Sequence, residues 1–138
     1  MQVRRWITAF AICAAASTGI ARAAVTEDSF SVRNAGDLVD LCSAQTTDPL
    51  YTASVNFCQG FVSGVFRVLR EEDMARRSRA LFCIPQPAPT RNEAIAGFVQ
   101  WAKGKPDQMT RSPADAVAMF LSQQYPCPSG AGSRGTHR

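Results

Sequence analysis

The chain has 138 residues, with 15 basic and 11 acidic side chains, five cysteines and one histidine. That length fits one domain with a modest core, and a lone histidine, His137, argues against zinc sets and histidine-based nucleophilic catalysis. The formal charge of +4 would suggest an anionic partner, but much of it lies in the first residues.

Arg4 and Arg5 are followed by an apolar run from Trp6 to Ile20 and by Ala21-Arg22-Ala23. This basic, apolar, small-x-small order reads as a secretory signal peptide over residues 1–23, cleaved after Ala23. The run is shorter than the roughly 20 residues of a membrane span, so no anchor is expected after cleavage. Cleavage would remove three arginines and Cys13, leaving 12 basic and 11 acidic residues and four cysteines. The remaining charges are intermixed and no stripe alternates basic with aromatic residues, which sets nucleic acid aside. The expected location is the periplasm, where an even cysteine set forms disulfides.

Residues 24–33 show no periodicity and read as a mobile leader; a helical domain is expected over 34–128. Asn34 offers a cap, and Leu38, Val39, Leu41 and Cys42 form the apolar face of a first helix. Gln45 to Pro49 is turn chemistry. Asp48 and Pro49 then open a long central helix, with Val55, Cys58, Phe61, Val62, Val65 and Leu69 on one stripe and Arg67 and Arg70 at its far end. Gly60 and Gly64 lie one turn apart on this helix. Interior glycines are costly, so they point to close packing against another helix or a second subunit, and a homodimer is one arrangement this allows.

Arg70 to Arg79 is dense in both charge signs, which is how a solvated helix end and loop looks. Its functional alternative is a partner-binding protrusion carrying Glu71, Glu72, Asp73, Arg76, Arg77 and Arg79. Prolines at 85, 87 and 89 forbid a helix, so the chain crosses in extended form, pinned by Cys83. Thr90 and Glu93 have the spacing of a capping box. They open a third helix with Ile95, Phe98, Val99 and Ala102 on its face, ending near Gly104. Ser112-Pro113 opens a fourth helix carrying Val117, Ala118, Phe120, Leu121 and Tyr125. Residues 129–138 are small, polar and basic, as in a disordered tail. The expected fold is all-α: four to five helices, two disulfides and no sheet.

Four cysteines permit three pairings. The order of elements favours Cys42 with Cys58, joining neighbouring helices, and Cys83 with Cys127, tying the proline-rich crossing to the end of the last helix. Loop entropy would make these worth about 3 and 4 kcal/mol. Cysteines held in disulfides are not nucleophiles, the adjacent carboxylates at 71–73 point to different sides of a helix, and no phosphate-cradling glycine loop or metal-ligand spacing occurs. No enzymatic activity, cofactor or metal is expected.

Taken together, Leu41-Cys42, the run Phe57-Cys58-Gln59-Gly60-Phe61-Val62-Ser63-Gly64-Val65, Phe82-Cys83-Ile84-Pro85, the threonine-capped third helix and Tyr125-Pro126-Cys127 resemble the Rap/Tai family of periplasmic immunity proteins. The resemblance spans Asn34 to Pro128. It implies a compact helical fold and a protein partner, a peptidoglycan amidase toxin delivered by type VI secretion, which the chain would bind and occlude. No family contact residues carry over. Two other classes stay open: a periplasmic acid-stress holdase resembling HdeA, driven by protonation of its carboxylates, and an envelope protein with an unrelated partner. Mass mapping of a non-reduced digest should return peptides joining Cys42 to Cys58 and Cys83 to Cys127; a Cys42–Cys127 peptide would contradict the assignment.

Overall fold

A computed structural model describes residues 25–76 and 80–128 of the chain; the expected signal peptide and tail lie outside them. The described residues form four helices and no strand: α1 (Ala35–Cys42), α2 (Tyr51–Arg76), α3 (Arg91–Lys103) and α4 (Pro113–Gln124). Short 3-10 turns occupy Glu27–Ser31 and Pro106–Gln108. Two disulfides join Cys42 to Cys58 and Cys83 to Cys127.

The centre of the fold is α1, although α2 has the longest apolar stripe. Ala35, Leu38, Val39 and Leu41 are all fully buried, and α1 touches each of the other three helices. Among the described side chains of α2 only Ser54 and Cys58 are buried, and Phe61, Val62, Val65 and Leu69 pack against the core with part of their surface in water. A short helix that is apolar over half its residues can sit inside a domain, whereas a long one extends beyond a small core. The rest of the core is aromatic. Phe98 of α3 meets Phe120 of α4 edge-on at 5.8 Å, and Trp101 and Tyr125 flank Phe120 at 5.9 and 6.1 Å. Gly97 leaves room for this cluster, since a Cβ there would lie 3.3 Å from the Phe120 ring.

Local chemistry places the helix starts. The Asn34 side chain accepts from the Asp37 N–H at 3.0 Å, and Thr90 and Glu93 form the expected capping box. Asp48 acts differently from its expected role. Its carboxylate accepts from the N–H groups of Leu50 and Val25, at 2.8 and 2.9 Å, and α2 begins only at Tyr51, so Pro49 precedes the helix. The Val25 bond also docks residues 25–33, expected as a leader, against the start of α2, where Phe30 stands edge-on to Phe57 at 5.6 Å. One N–H and one ring leave no periodic trace in a sequence.

Two further expectations are corrected. The helix does not end near Arg70: it continues to Arg76, because Glu71, Glu72, Met74 and Ala75 are good helix formers with no breaker among them. Arg67 and Arg70 are therefore mid-helix residues and do not serve its C-terminal dipole. Gly60 and Gly64 are exposed, and a Cβ at either would meet nothing within 4 Å. Among the described residues no helix packs against them, because the apolar stripe turns the opposite side of α2 to the core.

Two predictions follow from local physics. Gly60→Ala and Gly64→Ala should each raise stability by about 0.5–1 kcal/mol in urea unfolding; destabilisation, together with a dimer in sedimentation, would show that a second copy covers this face. The N–H and hydroxyl of Thr90 donate to the Glu93 carboxylate at 2.7 and 2.8 Å and hold its carboxyl below the ordinary value of 4.5. A lowered carboxyl stabilises the fold above that value, and the contribution is lost as pH falls through the folded value. Glu93→Gln should thus lower the urea midpoint near neutrality, with the gap to wild type closing as pH drops below 4.5; a gap independent of pH would exclude the carboxylate as its source.

Candidate binding surface

The expected partner segment, Arg70 to Arg79, begins on the last turns of α2. Glu71 and Glu72 are exposed on that helix, as are the apolar side chains of Val68 (55%) and Met74 (68%). Asp73 does something else: it is half-buried, and its carboxylate accepts the Leu81 N–H at 3.1 Å, tying the returning chain to the helix eight residues back. Leu81, 44% exposed, is thereby held beside the helix end. The side chain of Arg76, and Arg77 and Arg79 altogether, lie outside the described residues. The surface is thus a helix end mixing charged groups with three large apolar ones. Apolar residues scattered singly among charges leave only a weak sequence signal, and Val68, Met74 and Leu81 are of that kind.

The four cysteines fix the framework behind this surface. Cys42–Cys58 locks the end of α1 to α2, and Cys83–Cys127 locks the crossing segment to the end of α4, where the Cys83 N–H also donates to the Tyr125 carbonyl at 2.8 Å. With sulfurs committed in this way, none of the four is available for nucleophilic chemistry. Among the described residues there is no histidine and no group of three or more His, Cys, Asp or Glu able to hold a metal ion. No helix among them is long and apolar enough to cross a membrane.

Among the described residues, two grooves bear on the site. An open groove of about 730 Å³ runs between the end of α1, the first half of α2 and α3, with the Cys42–Cys58 bridge and Ile95 in its wall and Gln59, Asn92 and Gln100 on its rim. Two of its amides engage each other, Gln59 donating to Asn92 while accepting from Arg91. A second groove, of about 330 Å³, lies between α2, the proline-rich crossing, the start of α3 and α4. Its lining is mainly apolar, including Val62, Phe66, Ile84 and Phe120.

A helical, doubly crosslinked frame with concave and mixed apolar–charged surfaces suits a binding protein. Comparison with known proteins agrees with that character and with the order of the cysteine motifs. No curated protein and no solved structure matches the chain. A family model does match, over residues 34–127, which takes in all four helices and both disulfides; the chain belongs to the Rap1a immunity proteins.

Proposed function

We infer that this chain is exported to the periplasm and there binds a toxin, a peptidoglycan amidase delivered by type VI secretion, blocking access to its cleft. The observation that carries the reading is the family match across the whole helical domain. The architecture supports it: occluding an enzyme requires no chemistry from the inhibitor, only a surface that holds its shape. Each rotamer-rich side chain or loop ordered on binding costs affinity, about 0.5–1.5 kcal/mol per side chain. Two disulfides and an aromatic core reduce that cost by ordering the frame beforehand.

In this reading the signal peptide places the protein where such a toxin acts, and the oxidising compartment closes both disulfides. The test uses the mature chain, residues 24–138, against the cell-wall amidase toxins of the source organism and of its close competitors. One of them should form a complex tight enough, with a Kd on the order of nanomolar, to lose peptidoglycan hydrolysis at an equimolar ratio. If none binds, the amidase reading falls. Edman sequencing of the exported protein should begin at Ala24, and retention of Arg22 would exclude the proposed processing.

A further inference from the structure

The groove of about 330 Å³ has walls that are held in place independently of any ligand. The Cys83–Cys127 bridge and the bond from the Cys83 N–H to the Tyr125 carbonyl join the crossing segment to the end of α4. The Phe66 ring packs on Phe82 at 5.5 Å, holding α2 to the same segment. The capping box at Thr90 sets the start of α3, which forms another wall. Such a preformed apolar recess needs no reordering to accept a side chain. Its size is at the low end of the roughly 300–1,000 Å³ range of small-molecule sites. It opens to solvent, and its rim carries hydroxyls from Ser63 and Thr90. An apolar pocket with a polar rim is the form taken by the anchor sites of protein interfaces.

Charge narrows the occupant further. Arg67 and Arg91 line the groove from two walls, both exposed, and neither forms an ion pair among the described residues. Arg91 donates to the neutral amide of Gln59, which steers the guanidinium without neutralising it. Two carboxylates on the same helices are already engaged: Asp73 with the Leu81 N–H, and Glu93 with Thr90. Arg67, Arg70 and Met74 follow Ser63 at spacings of four, three and four, one row along α2. This row runs from the groove onto the exposed helix end, where Glu71 and Glu72 intersperse negative charge, so the positive edge is Arg67 and Arg91 at the groove itself.

The geometry points to this groove as the anchor site for an acidic segment of the partner protein, which inserts one bulky apolar side chain while its carboxylates meet Arg67 and Arg91. This rests on the reading of the chain as a toxin-binding protein, and adds which surface does the binding and what kind of segment it receives. An arginine can engage a carboxylate in bidentate fashion, so the two cations would set the register of the segment as well as attract it.

The test is an NMR titration of ¹⁵N-labelled mature chain with a capped Gly-Asp-Trp-Asp-Gly peptide, its lysine counterpart and sodium dodecanoate. The acidic peptide should shift Phe66, Ala94, Phe120 and Tyr125 saturably and bind about fivefold or more tightly than the lysine peptide, a preference that electrostatic complementarity predicts. Arg67→Gln with Arg91→Gln should abolish that preference with no change in the far-ultraviolet circular dichroism spectrum. Ala94→Trp, which fills the groove, should abolish the shifts. Equal binding of the two peptides, no saturable shift up to about 5 mM, or shifts with dodecanoate alone would overturn the proposal, the last by making the groove a lipid site. With the cognate toxin, binding that survives the double substitution overturns the groove and leaves toxin binding standing. Failure of the wild type to bind any toxin overturns the latter, and the peptide titration still decides the groove.

Discussion

The fold depends on how the first turn of α1 is satisfied. A helix leaves its first N–H groups without partners inside the helix, and here that turn packs into the protein, with Ala35 fully buried and Gly36 and Asp37 half-buried. The Ala35 N–H donates to the Arg111 carbonyl and the Gly36 N–H to the Met109 carbonyl, both at 2.9 Å, while Asn34 takes the Asp37 N–H. A buried donor left without a partner costs about 1–3 kcal/mol, so the Ala35 N–H above all has to be met. Gly36 is required by the approach: a Cβ there would lie 2.9 Å from Asn34 Oδ1 and 3.4 Å from the Met109 carbonyl. At eight residues, α1 is shorter than the 12–15 at which isolated helices become marginal. It exists because the link between α3 and α4 caps it and three helices cover it.

That central position leaves α2 as a wall. Its inner stripe covers the core, and Cys58 anchors it to α1, while its outer side and final turns stand in water. The same long helix can therefore contribute to stability at one end and to recognition at the other. The 330 Å³ groove lies where its middle meets the crossing segment and α4, between the crosslinked frame and the exposed helix end.

The disulfides serve shape as much as stability. One bridges a separation of 16 residues and the other 44; the longer loop has the larger effect on the unfolded chain. Yet the longer bridge is also the one beside the apolar groove, holding the proline-rich crossing against the end of α4. Prolines at 85, 87 and 89 keep this wall out of helix, since they can neither continue a helix nor donate to one.

Much of this protein is determined locally and so is present in the sequence itself. The caps at Asn34 and Thr90, the end of α3 at Gly104 and the start of α4 at Pro113 depend on residues a few positions apart, and the spacing of the four cysteines with their flanking residues carries the family. The tertiary structure decided what depends on distant partners. It placed α1 at the centre through carbonyls some 75 residues away, turned Asp48 to Val25, gave Asp73 to Leu81, and left Gly60 and Gly64 facing open space. Periodicity reports that a helix has an apolar side; it does not report how much of that side the rest of the chain is large enough to cover. The groove is likewise invisible in the sequence, because its walls come from four separated segments and its arginines are distinguished only by the carboxylates they do not meet.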